Sequence, residues 1–275
     1  MVFPRITLRS VLPVLLLPFS TLGCSSGLRQ PVVNPNPLSV SGNWELTSSS
    51  AQAAPLPQLS GSFSGNSSAI TGLFHTTVAG ACITPQTIVT LSGKADADLR
   101  LSLTSTPFDD GSVLTITGTL VADGHSISDA SYNVVGGSCA FAAGVGSSVA
   151  PPMIVTQYQT ISGNYSGNFM DVDGDSLPVA ATLTQTTQPD ANGMFHLTGN
   201  ATFPGNPCLT SPVVTDSTVT GSSLSATYSQ QQNGQTNTVV ASGTFNQDAS
   251  VLTITNWTFS GGCGADNGTG LLTKQ

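Results

Sequence analysis

The clearest candidate for chemistry in the sequence is a run of acidic residues around a glycine. Asp171, Asp173 and Asp175 alternate along the segment DVDGDS, which also contains Gly174. Carboxylates at alternate positions around a glycine turn can converge on a hard cation such as Ca²⁺. An EF-hand is excluded, because the glycine is misplaced and position twelve would be Thr182 rather than Glu. Two interpretations stay open: a Ca²⁺ site formed by the three aspartates, or a solvated hairpin turn.

Three histidines and one glutamate are the other candidates for acid–base chemistry. His75, His125 and His196 do not recur between the two halves of the chain, and none lies in a nucleophile motif such as G-x-S-x-G. Glu45 has no obvious partner for glycoside hydrolysis, which needs two carboxylates. Phosphate-loop and dinucleotide fingerprints are absent from the sequence. We therefore predict a protein that is not an enzyme and has no cofactor apart from the Ca²⁺ alternative. A hydrolase is the less favoured alternative.

The low content of charged residues limits the classes of partner that the protein can bind. Only 7% of the residues are charged, against about 25% in an average soluble domain, and the net charge is −8. The few basic residues are scattered and form no footprint for nucleic acid or anionic lipid. We therefore expect no nucleic-acid partner.

An internal repeat organises the elements that position these residues. The segment 118–139, GTLVADGHSISDASYNVVGGSC, recurs at 243–263 as GTFNQDASVLTITNWTFSGGC. Tyr132 and Trp257 occupy the same place in the two segments, 125 residues apart. A repeat of this length predicts two copies of one folding unit in tandem.

Alternation of apolar and polar residues predicts β-strands throughout both units. In VLTITGTL, Leu114, Ile116 and Leu120 share one face and threonines occupy the other. The same pattern gives eight strands per unit, near 40–48, 57–64, 69–77, 86–92, 98–105, 112–121, 126–134 and 143–149, and near 161–169, 178–186, 194–203, 213–219, 223–230, 236–245, 250–259 and 267–273. The predicted fold class is all-β, with two tandem antiparallel domains that form up-and-down barrels; β-sandwiches are the alternative.

The cysteines fit an exported protein with one disulfide in each unit. Cys82 and Cys139 are 57 residues apart, and Cys208 and Cys263 are 55 apart. A duplicated unit that folds alone favours pairing inside each repeat, which gives Cys82–Cys139 and Cys208–Cys263. In a meander, the loops after the third and seventh strands lie on the same rim, so both pairings are geometrically allowed. Closing a loop of this length stabilises a domain by about 4 kcal/mol on the chain-entropy model.

The N-terminus has the layout of a secretory signal peptide. Arg5 and Arg9 precede a short apolar run at 11–19, which Leu22-Gly23-Cys24 follows. These last three residues resemble the lipobox of bacterial lipoproteins, which implies that Cys24 carries the lipid (palmitate among its acyl chains) and anchors the protein to the membrane. Cleavage nearby with Cys24 left free is the alternative.

The first strand of each unit carries a second resemblance. Gly42-Asn43-Trp44, repeated as Gly163-Asn164-Tyr165, resembles the lipocalin Gly-x-Trp signature, in which the tryptophan closes one end of an eight-stranded barrel. The resemblance implies that Trp44 and Tyr165 are barrel-end aromatics. Lipocalins place an arginine from the last strand beside this residue; Lys274 is the nearest candidate here, and the first unit has none. As a whole, the chain resembles exported bacterial lipoproteins.

These observations divide the chain into five segments and predict its role. The segments are a lipoprotein signal peptide at 1–24, a flexible tether at 25–38, β-domain 1 at 39–150, a linker at 151–158 and β-domain 2 at 159–275. We expect a non-catalytic lipoprotein of the bacterial cell envelope, anchored through Cys24, in the outer membrane. It would bind a small apolar ligand inside a barrel or another envelope component across its Ser/Thr-rich faces. A structural spacer or adhesin is the alternative.

Overall fold

A computed structural model of the chain describes residues 37–48, 56, 58–76, 83–85, 87–137 and 152–275. The regular elements in these residues are β-strands, which confirms the predicted all-β fold class. Within the same residues, no helix is long and apolar enough to cross a membrane. Cys24, Cys82 and Cys139 lie outside the described residues, so lipidation and the first disulfide stay predictions.

The first half of the chain folds into a closed barrel, which we call barrel 1. Each strand pairs with the next in antiparallel fashion, and the last returns to the first. The strands are β1 (Gly42–Ser48), β2 (Leu59–Asn66), β3 (Ala69–His75), β4 (Val89–Ala95), β5 (Arg100–Ser105), β6 (Val113–Leu120), β7 (Ser126–Val135) and β8 (Met153–Tyr158). This is the up-and-down arrangement that the sequence predicts.

The second half forms a second closed ring, barrel 2, because β10 pairs with both β9 and β11 while β9 pairs with β17. Its strands are β9 (Gly163–Asp171), β10 (Ser176–Gln185), β11 (Phe195–Thr202), β12 (Val213–Val214), β13 (Thr218–Thr220), β14 (Ser223–Gln232), β15 (Gln235–Phe245), β16 (Val251–Gly261) and β17 (Gly264–Lys274). The single strand predicted near 213–219 is interrupted, so β12 and β13 share one position between β11 and β14. Two barrels, rather than sandwiches, are therefore confirmed.

The strand that closes barrel 1 lies further along the chain than predicted. It is Met153–Tyr158, inside the stretch assigned to a linker at 151–158, so the linker prediction is wrong; the predicted strand at 143–149 lies outside the described residues. Pro152 makes only an isolated bridge to Ser131 at the entrance of this strand. A proline is tolerated there, because the first residue of a strand need not donate to the ladder.

Aromatic rings pack against one another in the interiors of both barrels. In barrel 1, Phe63 packs edge-to-face between Trp44 and Phe74, with ring centroids 5.4 and 4.8 Å apart. In barrel 2, Phe169 stacks on Trp257 at 5.4 Å. Fully burying a side chain such as Phe contributes about 1.5–3 kcal/mol, so each of these buried rings adds to the stability of its barrel.

The sequence repeat reappears as a repeated irregularity of the sheet. The register of β6 against β7 shifts after Thr117, and that of β15 against β16 shifts after Ser242, which is 125 residues later. Such β-bulges bend a strand and help a sheet to close. Tyr132 and Trp257 follow the two bulges, and each is only 2% exposed. The sheets of both barrels therefore bend at the same position of the repeat, and a buried aromatic side chain follows each bend.

Candidate functional site

The two barrels form one compact unit, because rim turns of barrel 2 cover part of the outer wall of barrel 1. We call this covered surface the barrel-1 wall. Its outward-facing residues on β1, β2 and β3 are Asn43, Glu45, Ser60, Ser62, Leu73 and His75. The covering turns are β13–β14, at Gly221 and Ser222, and β10–β11, at 190–193. Because the wall is sealed by the same chain, it is unavailable to an outside partner while the barrels stay docked.

Two polar side chains of β1 hold the β13–β14 turn. The amide of Asn43, which is 2% exposed, donates to the carbonyl of Gly221 at 2.7 Å and accepts from its N–H at 2.6 Å. Glu45 Oε2 accepts from the N–H of Ser222 at 2.9 Å and from its hydroxyl at 2.7 Å. Tyr158 packs beside them on Phe245 of barrel 2, with ring centroids 5.5 Å apart. Burial, followed by the charge of Glu45, raises the pKa of Tyr158.

The β10–β11 turn is built around Asp190. Its Oδ1 accepts from the N–H of Asn192 at 2.8 Å and of Met194 at 3.0 Å, and its Oδ2 lies 3.2 Å from His196 Nε2. Burial raises the pKa of Asp190, but these hydrogen bonds outweigh burial and hold the pKa below its usual value. Gly193, with φ +81°, presses on barrel 1 so closely that a Cβ there would overlap the carbonyl oxygen of Leu73.

The histidines do not assemble a catalytic site in the part of the chain that the structure describes. His196 is paired with Asp190, and within the described residues no hydroxyl contacts its ring. The ring of His125 contacts Gln157 on the rim of barrel 1. His75 lies on the barrel-1 wall, opposite Ser60 on the neighbouring strand. The structure thus brings His196 and the carboxylate of Asp190 together at the interface, and among the residues that it describes no serine hydroxyl is hydrogen-bonded to the ring of His75 or His196.

The three aspartates of the predicted Ca²⁺ site form a turn between β9 and β10. Oδ1 of Asp171 accepts from the N–H of Asp173 at 3.0 Å and of Asp175 at 2.7 Å. Across the described residues, no three His, Cys, Asp or Glu side chains form a cluster suited to a metal ion. The geometry of the described residues therefore favours the hairpin-turn interpretation, in which a carboxylate bonded to the backbone of its own turn accounts for the spacing, and the Ca²⁺ site stays a prediction.

The two aromatics predicted at the barrel ends are both buried. Trp44 is 0% exposed and donates from Nε1 to the carbonyl of Val40 at 2.8 Å. Tyr165 is 1% exposed, and its hydroxyl donates to the carbonyl of Ala249 at 2.8 Å. Burial, and then the nearby charge of Asp248, raises the pKa of Tyr165 to about 12.

A side chain from the closing strand lies over each of these positions. Lys274 stands opposite Tyr165 in the register, with Nζ 5.9 Å from the ring centroid, which is the place that the lipocalin resemblance assigns to a cation. In barrel 1, Gln157 stands opposite Trp44. A side chain at Gly163, where φ is +147°, would overlap Lys274. The glycine of the G-x-W/Y motif therefore makes room for this closing-strand side chain.

The disulfide predicted in the second unit is present. Cys208, in the loop after β11, is bonded to Cys263, in the turn after β16, with Cα atoms 6.3 Å apart. Asn237, which is 2% exposed, joins the same two segments by donating to the carbonyl of Cys208 at 2.8 Å and accepting from the N–H of Gly262 at 3.0 Å. This role of Asn237 could not be predicted from the sequence, because its two partners are 29 and 25 residues away in the chain.

An open groove of about 790 Å³ lies on the outer wall of barrel 2, across β9, β16 and β17. We call it the outer groove. Its outward-facing residues are Ser166, Asn168, Met170, Thr253, Thr255, Thr269, Leu271 and Thr273, and none of its lining residues is charged. Within the described residues, no hydrogen bond engages the side chains of Asn168, Thr253 or Thr269. Met170 and Leu271 are 41% and 53% exposed. The groove thus offers free hydrogen-bonding groups beside two exposed apolar side chains.

The outer groove was not predicted, although its pattern is visible in the sequence. Thr253 and Thr255 occupy alternate positions of β16, and Thr269, Leu271 and Thr273 do so on β17. The inward-facing neighbours Leu252, Ile254 and Leu272 are buried. Which strands become neighbours depends on the closure of the ring, and this closure brings β17 beside β9. Comparison with described protein families and with curated proteins finds no match for the chain.

Proposed function

We propose that the protein is a non-catalytic, lipid-anchored component of the bacterial cell envelope that binds an uncharged, hydroxyl-rich polymer in the outer groove of barrel 2. The chemical class is a neutral polysaccharide. The observation that carries the proposal is the composition of the groove, which combines hydroxyl and amide groups with exposed aliphatic side chains and has no charged lining residue. The anchor is Cys24, and the resemblance of its surroundings to a lipobox supports this part of the proposal.

The chemistry of the groove matches that of a sugar surface. A sugar ring presents hydroxyls at its edge and C–H groups on its faces, and a threonine presents a hydroxyl beside a methyl group. Side chains such as Asn168 and Thr253 can exchange hydrogen bonds with hydroxyls, and Leu271 can pack on an apolar ring face. An anionic polymer would find no cation among the lining residues. Neutral polysaccharide is therefore the partner that this surface fits.

The packing of the barrels favours binding outside rather than inside. A small apolar ligand would need an interior space of about 300 Å³ or more. Trp44, Phe63 and Phe74 pack together inside barrel 1, and Phe169 and Trp257 pack together inside barrel 2. A ligand would have to displace these rings, at a cost of about 1.5–3 kcal/mol for each side chain exposed.

Affinity gel electrophoresis of the full chain tests the proposal, with dextran as the neutral polysaccharide and alginate as the carboxylated one. Leu271→Glu places a charge in the groove, and we expect it to weaken dextran binding by about tenfold or more. Ile154→Glu is the matched control, because Ile154 faces outward on the closing strand of barrel 1 and is 55% exposed, against 53% for Leu271. Equal losses in the two variants, or tighter binding of alginate than of dextran, would contradict the proposal.

A structural role as a spacer or adhesin is the second candidate function. It is favoured by the reciprocal hydrogen bonds of Asn43 with Gly221, which fix one barrel on the other. A spacer needs the two barrels to be held together but does not need the outer groove. The spacer or adhesin function would be supported if cells that carry the Leu271→Glu variant attach to their natural surface as well as wild-type cells do, and if the purified protein binds no polysaccharide.

A further inference from the structure

The barrel-1 wall contains a transverse row of three polar residues beneath barrel 2. Glu45 pairs with Ser60 across β1 and β2, and Ser60 pairs with His75 across β2 and β3, so all three face outward on the same line. Neighbouring strands are about 4.8 Å apart, which separates the backbones of Glu45 and His75 by roughly 10 Å. Barrel 2 covers both ends of the row: Ser222 contacts Glu45, and the turn at 190–193 reaches His75.

The surroundings of His75 oppose a positive charge. Its Nδ1 is buried and, within the described residues, has no hydrogen-bond partner. Burial lowers the pKa of His75, whereas a hydrogen bond with the backbone of Asn192 and the charge of Asp190 act in the opposite direction. The carboxylate of Asp190 is already engaged by two backbone N–H groups and by His196. It therefore compensates only part of the cost of a charged imidazole.

Among the described residues, the remaining neighbours of His75 supply no further charge compensation. Glu45 lies two strands away and is hydrogen-bonded to Ser222. Leu73, on the same strand as His75, is pressed by Gly193. A protonated His75 would need water, and water can reach its ring fully only if the β10–β11 turn moves away. The charge state of one side chain is thus coupled to the contact between the barrels.

We propose that the docking of barrel 2 on barrel 1 is an acid-sensitive contact, in which protonation of His75 favours undocking, with release of both the β10–β11 and the β13–β14 turns from the barrel-1 wall. This inference is independent of the proposed polysaccharide binding, because the outer groove shares no residue with the contact. Release would uncover Asn43, Glu45 and Leu73, so mildly acidic conditions would expose a second polar surface on the molecule.

Proton linkage gives the direction and the size of the effect of pH on the docking of the two barrels. In the undocked state His75 has an ordinary pKa near 6.5, whereas in the docked state its pKa is lower. The undocked state therefore binds the proton more readily, and docking weakens as the pH falls below about 6.5. One pH unit below that value, the equilibrium constant for undocking rises by at most about tenfold. Well above about pH 6.5, protonation of His75 no longer weakens the docking of the two barrels.

Hydrogen exchange of the full chain, followed by NMR, tests the proposal. The N–H of Gly221 is bonded to Asn43, so its exchange reports undocking. Between about pH 7.5 and about pH 5.5, after correction for intrinsic exchange, we expect its opening constant to rise by up to about tenfold. The amides of β5, which lies four strands away from β1 in the wall of barrel 1, should not change. His75→Gln should abolish the pH effect, and His125→Gln, on the exposed rim, should keep it.

Two results would overturn the proposal. In the first, the exchange of Gly221 has the same pH dependence in His75→Gln as in the wild type. In the second, an NMR titration of the histidines in the wild-type protein, which requires no variant, gives His75 a midpoint at or above the ordinary value of about 6.5.

Discussion

Replacing Asn43 by alanine tests the interface between the barrels. Asn43→Ala removes both hydrogen bonds to Gly221, of 2.7 and 2.6 Å, and leaves a buried N–H and a buried carbonyl without partners. Each such group costs about 1–3 kcal/mol, so we expect a loss of about 2–6 kcal/mol while the barrels stay docked. Undocking would hydrate both groups, and so the loss in unfolding free energy cannot exceed the docking free energy.

Urea denaturation followed by tryptophan fluorescence measures this loss, because Trp44 reports on barrel 1 and Trp257 on barrel 2. Asn164→Ala is the matched control. Asn164 occupies the same place in the second G-x-W/Y motif, but it is exposed and accepts from the hydroxyl of Thr182 at 2.9 Å. We expect it to cost less than about 1 kcal/mol. Equal losses in the two variants would refute the assignment of Asn43 to a buried interface.

The remaining predictions concern barrel 2. Replacing Cys208 and Cys263 by serine should lower its unfolding free energy by about 4 kcal/mol, measured by urea denaturation, and an unchanged midpoint would contradict the loop-closure argument. The pKa values of Tyr165 and Tyr228 are both raised to about 12 by burial, so the unfolded chain releases these protons first. Melting temperatures should therefore fall progressively between about pH 10 and about pH 12, and a Tyr228→Phe variant should lose less than the wild type. Lys274→Met should cost about 0.5–1 kcal/mol through the lost contact with the Tyr165 ring, and a variant as stable as the wild type in urea denaturation would contradict a stabilising cation–π contact.

The local patterns of the sequence predict most of the strands. Alternation in VLTITGTL matches β6, where Leu114 and Ile116 are buried, and the repeat predicts the Cys208–Cys263 pair. The predicted strands do not include the closing strand of barrel 1, although its residues alternate in burial. In β8, Val155 is 3% exposed and Ile154 is 55% exposed, which is the pattern of a half-buried strand.

The interface could not be predicted from local sequence. Asn43 is the variable middle residue of a G-x-W motif, and its partner Gly221 lies 178 residues away. Only the docked barrels bring the two together. Glu45, the single glutamate of the chain, does indicate such a contact in the sequence, because a carboxylate on a strand of a charge-poor protein needs a specific partner.

NMR chemical-shift mapping of the full chain with dextran tests the central claim most directly. The account predicts that shifts concentrate on the outward-facing positions of β9, β16 and β17, with Thr253, Thr269 and Leu271 among the largest, while the ring signals of Phe169 and Trp257 stay unchanged. Shifts confined to those interior rings, or to Asn43 and Glu45 on the barrel-1 wall, would contradict binding in the outer groove.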